Sequence, residues 1–276
     1  MAYYGYFNGV ITPVDQISVG ITDLGLLRGY GLFDYFLTYG GQPFRWDMYW
    51  DRFQKSAERM FLPLPLTKEE TYSVLLDLLA RSRQPDVAFR FVMTGGYAPD
   101  SISVVTPNLF ILTETIHPVP EAHYEHGIRL ILDDYVREMA EVKSTDYKRV
   151  MLLNGPIQKA GAHDVLYHRD GEISELSRSN VFLVVGNRLV TPNRNILYGI
   201  TRHTILELAK DHFQIEERPV LLSELDDADE VFTTSSNKKV LPIVQIGDRQ
   251  IGDGKVGPVA KQLLARFREF AGQPNP

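Results

Sequence analysis

The chain has 276 residues, of which 44% are hydrophobic and 23% are charged, and its formal net charge is -6. This is the composition of an ordinary globular protein, and it excludes a fibrous or disordered chain. The sequence contains no cysteine, so disulfides, thiolate catalysis and cysteine-ligated metal centres are excluded and no metal site is predicted.

Net negative charge without a block of basic residues disfavours nucleic acid as a partner. No apolar run reaches the roughly 18 residues of a membrane span, and the first residues lack the features of a secretory signal. We therefore expect no membrane partner and a cytoplasmic location.

Short apolar runs separated by turns predict the first elements of the chain. Helical periodicity follows, with Trp50, Phe53, Ala57 and Met60 on one stripe. The predicted elements are a strand and tight turn over residues 6–11, a strand over 31–39, helices over 46–60 and 68–83, and strands over 87–93 and 109–113.

The segment 115–125 contains Pro118 and Pro120, which resist both helix and inner strand, so we predict an interdomain linker there. The predicted organisation is a domain over residues 1–115, a linker over 116–125 and a domain over 126–276. Beyond the linker we predict strands over 128–132, 164–168, 180–185 and 230–234, and helices over 148–160, 201–210 and 258–270.

Residues Arg169, Asp170 and Gly171 predict a hairpin turn between the strands 164–168 and 180–185. Strands with helices recurring between them predict a mixed α/β or α+β fold.

Taken one at a time, the candidate functional residues are ordinary. Lys143 precedes a predicted helix and Glu175 precedes a turn rich in serine, and both patterns are typical of solvated surface residues. The backbone N–H groups of Ile200 and Thr201 open a predicted helix and could bind an anion. The simpler interpretation is that Thr201 caps this helix.

The order and spacing of several segments are more informative than any one of them. These segments are Asn8-Gly9, Asp23-Leu24-Gly25, residues 29–34, Asp51-Arg52-Phe53, Lys143, Glu175 with residues 179–182, Gly199-Ile200-Thr201-Arg202, residues 230–236 and residues 252–258. The sequence resembles the class IV aminotransferases, which include branched-chain aminotransferases, D-amino acid aminotransferase and aminodeoxychorismate lyase.

The resemblance implies a two-domain enzyme of fold type IV. Its small N-terminal α/β domain is followed by a larger C-terminal domain with a mixed, barrel-like sheet and flanking helices. It also implies pyridoxal 5'-phosphate as cofactor, amino acid and 2-oxo acid substrates, and a homodimer.

The resemblance further implies individual roles. Lys143 binds the cofactor as a Schiff base and moves the proton at the substrate α-carbon, while Glu175 keeps the pyridine nitrogen protonated. Arg52 binds the phosphate. The remaining cofactor-binding positions are Leu197 against the ring, the amides of Ile200 and Thr201, and the hydroxyl of Ser236.

Substrate-binding positions follow from the same resemblance. The turn at Ser236 and Asn237 lies where related enzymes bind the α-carboxylate through backbone N–H groups. Arg90 matches the arginine that branched-chain enzymes use for the distal carboxylate of glutamate, which favours an L-amino acid and 2-oxoglutarate. Phe33 lines the same pocket, in which Arg28 replaces an aromatic residue.

Two features bear on specificity. The loop over residues 94–101 lacks the Arg-x-His pair with which D-amino acid aminotransferase holds its substrate, so that specificity is disfavoured. Lys238 and Lys239 replace neutral or acidic residues, which suggests a more acidic substrate than leucine, although both are also typical of solvated surface lysines.

Three hypotheses stay open on the sequence: a transaminase, a lyase of the aminodeoxychorismate type, and a cofactor-binding protein without turnover. The first two need the same lysine and cofactor. Asp34, Asp146 and Leu176 depart from the usual family residues, and they are the features that favour the third.

Overall fold

Two units divide the chain in the computed structural model, which describes residues 3–272. The first unit comprises the described residues up to His117 together with Val142–Tyr147. The second comprises Pro118–Glu141 and the described residues from Lys148 onward. The short segment that carries Lys143 therefore packs with the N-terminal unit, although its neighbours in sequence on both sides belong to the other.

The first unit is built on one antiparallel sheet. Its elements are β1 (Tyr4–Phe7), β2 (Val10–Pro13), α1 (Leu24–Arg28), β3 (Gly31–Tyr39), β4 (Gln42–Pro43), α2 (Trp46–Arg59), α3 (Lys68–Ser82), β5 (Ala88–Thr94) and β6 (Asn108–Glu114). The six strands lie in the order β2-β1-β6-β5-β3-β4. The predicted strand over 31–39 and the helices that begin at residues 46 and 68 are confirmed.

Local sequence explains several of these boundaries. Asn8 and Gly9 both have positive φ angles and form the tight turn between β1 and β2, as the twist of a two-residue hairpin requires. Helix α3 begins with a capping box in which Thr67 and Glu70 satisfy each other's backbone N–H groups. The short helix α1, which was not predicted, begins where Asp23 caps it and ends at Gly29 in the left-handed conformation.

The core of the first unit is an aromatic cluster around Phe36, which is fully buried on β3. Its ring lies 4.9 to 5.9 Å, centroid to centroid, from the rings of Trp46, Tyr49, Phe89 and Phe91. Helix α2 thus packs on the sheet through the apolar stripe that the sequence predicts, and the residues of that stripe are buried.

The second unit is built on a mixed sheet of ten strands. Its elements are α4 (Glu121–His126), β7 (Ile128–Asp134), α5 (Lys148–Lys159), β8 (Asp164–Arg169), β9 (Glu172–Leu176), β10 (Asn180–Val185), β11 (Arg188–Thr191), α6 (Ile200–Ala209), β12 (Gln214–Glu217), β13 (Val220–Leu221), β14 (Glu230–Ser235), β15 (Lys239–Ile246), β16 (Arg249–Gln250) and α7 (Pro258–Phe270). The strand order is β12-β11-β10-β14-β15-β7-β8-β9-β13, and β16 pairs with β15. Strand β7 runs parallel to β8 and β15, and β11 runs parallel to β12. The predicted mixed α/β class is confirmed.

Two local predictions were wrong. The hairpin turn at Asp170 and Gly171 joins β8 to β9 rather than to β10, which pairs with β11 and β14. Strand β9 escaped prediction because Ser174 and Glu175, which are normally solvated residue types, are buried in it. Helix α4 lies within the segment predicted to resist helix, because Pro120 occupies its N-cap and leaves the helix interior undisturbed.

In the part of the chain that the structure describes, no helix has the length and apolar character that crossing a membrane requires.

We predict that Phe36→Ala destabilises the first unit by about 3–5 kcal/mol, the usual range for removing a buried aromatic side chain. Both tryptophans of the sequence lie in α2, so tryptophan fluorescence during urea unfolding reports on this unit. Phe61→Ala is the matched control, because the Phe61 side chain is 84% exposed. Equal unfolding midpoints for the two variants would contradict the prediction.

Candidate active site

Lys143 is held against strand β3 by backbone hydrogen bonds. The Phe33 N–H donates to the Lys143 carbonyl at 2.8 Å, and the Thr145 N–H donates to the Gly31 carbonyl at 2.9 Å. The Lys143 Nζ atom lies 4.5 Å from the centroid of the Phe33 ring, within the range of a cation–π contact. The Phe33 ring also meets the edge of Tyr147, at 5.4 Å between centroids. The amine of Lys143 is therefore placed on an aromatic platform supplied by β3.

Arg52 is fixed by Asp34 in the same unit. Its Nε and Nη2 atoms donate to the two carboxylate oxygens of Asp34 at 2.9 and 2.7 Å. Burial opposes the charge of Arg52, but the adjacent Asp34 carboxylate outweighs it and raises the pKa of the guanidinium. Asp34 differs from the usual family glutamate, yet it keeps a carboxylate that orients a permanently cationic arginine.

Arg90 lies on the sheet face that carries Phe33. Its Cζ atom lies 5.8 Å from the Phe33 centroid and 5.1 Å from the Tyr35 centroid. Arg90 donates to both carboxylate oxygens of Glu114, and these hydrogen bonds raise the pKa of its guanidinium. Lys143 and Arg90 thus approach the same aromatic ring.

Arg28, the other predicted substrate residue of this unit, lies on the exposed last turn of α1. Its guanidinium donates to the carbonyl of Leu27 at 3.2 Å.

Glu175 lies in strand β9 of the second unit and is only 4% exposed. The Arg137 Nε atom donates to its Oε1 atom at 2.8 Å, and the Leu197 N–H donates to its Oε2 atom at 3.0 Å. Arg137 is itself held by the carbonyl of Ala140. Glu175 is therefore not the solvated turn residue that its local sequence suggests, and its charge is compensated by a buried arginine.

Helix α6 presents an uncapped N-terminus. Its N-cap is Gly199, which has no side chain to accept a hydrogen bond from the first turn. Capping by Thr201 is therefore wrong, since Thr201 lies inside the helix. A Cβ atom on Gly199 would lie 2.2 Å from the Asn180 Oδ1 atom, so this position needs glycine. The amides of Ile200 and Thr201 point out of the helix end, where an anion binds favourably.

Ser236 and Asn237 lie in the turn between β14 and β15, where the antiparallel pairing ends at Ser235 and Lys239. The next residue, Lys238, is not the solvated surface lysine that its sequence allows. Its side chain is 15% exposed, and its Nζ atom donates to the Asp164 Oδ2 atom at 2.6 Å. Lys238 therefore adds no uncompensated positive charge to this turn.

Three residues of these clusters were missed by sequence reasoning. Arg137 and Asp164 lie in no motif, and only burial beside an opposite charge identifies them. The sequence indicates Tyr147 only weakly, through its position on the same short segment as Lys143. In the structure its ring contacts Phe33. Among the described residues, no group of three or more His, Cys, Asp or Glu side chains could hold a metal ion.

Comparisons with known proteins identify the family. The family described as amino-transferase class IV matches residues 31–246. A Methanocaldococcus jannaschii protein with the provisional name branched-chain-amino-acid aminotransferase is 31% identical over 277 residues, which cover 96% of this chain and 95% of that protein. A D-alanine aminotransferase from Staphylococcus haemolyticus is 29% identical over 96% of each chain.

A solved structure has the same fold. The branched-chain amino acid aminotransferase of Escherichia coli superposes with a TM-score of 0.92 at 23% identity, covering 100% of this chain and 97% of that one. The fold is therefore that of the fold type IV enzymes. The chain belongs to the class IV aminotransferases, and it is a pyridoxal-phosphate-dependent aminotransferase.

The donor set fits this cofactor. A phosphate needs fixed cations and backbone donors, and the chain supplies Arg52 and the uncapped end of α6. A protonated ring nitrogen needs a buried anion, and Glu175 is one. An aldehyde needs an amine, and Lys143 Nζ is placed on Phe33.

We predict that Arg137→Met destabilises the second unit by about 3–5 kcal/mol, because the buried Glu175 carboxylate would lose the guanidinium that Arg137 supplies. Arg194→Met is the matched control, since it removes an exposed ion pair with Glu172 on the same strand and is expected to change stability by at most about 1 kcal/mol. The melting temperatures of the two variants are compared by thermal unfolding, followed by circular dichroism. Similar melting temperatures would contradict the prediction.

Proposed function

We propose that this enzyme transfers the amino group of an L-amino acid to a 2-oxo acid, with Lys143 as the residue that bonds the cofactor and moves the proton. The observation that carries the proposal is the placement of the Lys143 amine on Phe33 by the backbone of β3. A lysine at the surface samples many rotamers, whereas this one is held by its own main chain and by an aromatic face.

The individual residues have different roles in this proposal. Lys143 would hold the cofactor through its amine, and the same amine would accept and return the proton of the substrate α-carbon. Glu175 holds a proton at the pyridine nitrogen. Bound pyridoxal phosphate supplies an electron-withdrawing ring that stabilises negative charge at that carbon.

The cofactor phosphate is bound by fixed groups in this proposal. Arg52, oriented by Asp34, supplies the cationic fork. The amides of Ile200 and Thr201 supply the helix terminus, and the hydroxyl of Ser236 adds a further donor. Leu197 packs against one face of the ring, and its own N–H group holds Glu175.

Different groups of the enzyme are proposed to bind the two ends of the substrate. The backbone N–H groups of the turn at Ser236 and Asn237 bind the α-carboxylate. Arg90 binds the distal carboxylate of 2-oxoglutarate, and Phe33 lines the pocket beside it. Arg28, which is exposed, is proposed as a further substrate-binding residue. An L-amino acid is favoured because the loop over 94–101 lacks the Arg-x-His pair.

Lys143 is tested by reduction. The purified protein, loaded with pyridoxal phosphate, is treated with borohydride, and the modified residue is identified by peptide mapping. The label is expected on Lys143 alone, and Lys143→Ala is expected to bind cofactor without covalent attachment. Lys148→Ala is the matched control, because it removes a neighbouring lysine. A label on any other lysine would refute the assignment.

The reaction type is tested with the same preparation. Addition of an L-amino acid is expected to convert the absorption spectrum to that of the pyridoxamine form, and 2-oxoglutarate is expected to reverse it. Release of pyruvate from aminodeoxychorismate without this conversion would replace transfer by elimination. A yellow protein that no amino donor changes would indicate cofactor binding without turnover.

The role of Arg90 in recognising the amino acceptor is tested by substitution. We predict that Arg90→Met raises the KM for 2-oxoglutarate by about tenfold or more, the usual effect of losing a hydrogen bond to a charged group. The KM for L-leucine should change by less than about threefold, since that substrate has no distal charge. Arg81→Met, which removes an exposed pair with Asp77 on α3, serves as control. An unchanged KM for 2-oxoglutarate would exclude Arg90 from its recognition.

We also propose a homodimer. Exposed apolar side chains of the first unit concentrate in two segments, with Ile21 and Leu26 in one and Ile102 and Val105 in the other. Tyr97 joins the two segments, since it bridges to Asp23 and accepts a hydrogen bond from Gly20. Clusters of exposed apolar residues are typical of protein interfaces.

The dimer is tested by sedimentation equilibrium, which should give twice the 31.4 kDa mass of the chain. Leu26→Glu combined with Ile102→Glu should shift the protein toward monomer, because two charges would be buried in the interface. Val10→Glu, at an exposed apolar residue of β2 outside these segments, is the control. A monomeric wild-type protein would contradict the proposal.

A further inference from the structure

The turn that follows β14 is anchored by a side chain that points back into the unit. Strands β14 and β15 pair as far as Ser235 and Lys239, so residues 236–238 form a short turn, and Lys239 adopts the left-handed conformation. The backbone of Lys238 is also fixed, because its carbonyl accepts a hydrogen bond from the Tyr124 hydroxyl at 3.0 Å.

The Lys238 side chain ends in a buried polar cluster. Its Nζ atom lies 2.6 Å from the Asp164 Oδ2 atom and 3.1 Å from the Ser179 Oγ atom. The other oxygen of Asp164 accepts hydrogen bonds from the Ser177 hydroxyl at 2.5 Å and from the Val165 N–H at 2.9 Å. Burial opposes the charge of Asp164, but Lys238 and these hydrogen bonds outweigh it and lower the pKa of its carboxyl group.

The same cluster holds the chain that follows Glu175. The hydroxyls of Ser177 and Ser179 both bind the ion pair, and the Leu176 N–H donates to the Ser179 carbonyl at 2.8 Å. The turn 236–238 and the end of β9 are therefore tied together through one charged contact. A buried ion pair of this kind strongly resists displacement, because removing one partner leaves the other without compensation.

We propose that the Lys238–Asp164 ion pair is a positioning contact, which holds the turn 236–238 in the geometry in which its backbone N–H groups bind a substrate carboxylate. This inference rests on the proposed function and deepens it. Lys238 acts through the position of the turn and contributes no charge to the pocket. Every carboxylate substrate depends on it to the same degree, whatever charge the substrate side chain carries.

The inference is tested by the kinetics of Lys238→Met with L-leucine and L-glutamate as donors. The KM of both is expected to rise about tenfold, as weakened hydrogen bonds to a charged group imply, with kcat within about threefold of wild type. Lys239→Met removes the same charge one residue away and should leave both KM values within about twofold. A rise for L-glutamate alone, or an equal rise in the two variants, would show a charge effect and overturn the inference.

Two further variants separate positioning from stability. Lys238→Arg keeps a cation that pairs with a carboxylate, and it should return KM to within about threefold of wild type. The double variant Lys238→Met/Asp164→Leu replaces the ion pair by apolar side chains, which usually restores folding, yet its KM should stay raised. A double variant with wild-type stability and wild-type KM would overturn the inference, as would an unchanged KM in Lys238→Met.

A binding measurement distinguishes this inference from the proposed function. Calorimetry with 4-methylvalerate, a carboxylate without an amino group, requires no turnover. Weaker binding to Lys238→Met than to wild type supports the positioning role even if no amino acid is converted. Equal affinities, or no binding to wild type, would overturn it even if transamination is observed.

Discussion

A carboxylate that leaves water needs compensating charge or hydrogen bonds, because an uncompensated ion in a protein interior is strongly unfavourable. Asp34, Glu175 and Asp164 are each less than 5% exposed, and each is paired with a cation within hydrogen-bonding distance. The partners are Arg52, Arg137 and Lys238. These three pairs orient groups that we propose bind the cofactor or the substrate.

The pairs differ in the role that we propose for each partner. In the first, Asp34 supports Arg52, which we propose binds the cofactor phosphate. In the second, Arg137 supports Glu175, which we propose faces the pyridine nitrogen. In the third, we propose that the two charges together hold a backbone turn. In these proposals the same physical interaction orients a cation, an anion and a set of backbone donors.

The arrangement also bears on specificity. Lys238 is paired with Asp164, so its charge gives no reason to expect an acidic substrate. Arg90 is likewise engaged by Glu114, and a distal carboxylate would have to compete with that partner for the guanidinium. In the proposed function, selection by side-chain charge therefore depends on Arg90, whereas main-chain groups bind the α-carboxylate, which every substrate of the class has.

The sequence by itself determined several of the elements and the family. The strand over 31–39, the apolar stripe of α2 and the helix over 258–270 were read correctly, because their periodicity is local and their apolar faces are regular. The family followed from the order of its motifs, although Lys143 and Glu175 are individually ordinary in their local sequence. Tertiary structure alone decided that β9 is a strand, that Gly199 rather than Thr201 is the N-cap of α6, and that Lys238 is paired with Asp164. The reason is physical: whether a charged side chain is solvated or paired depends on a partner far away in sequence, and no local pattern records that distance.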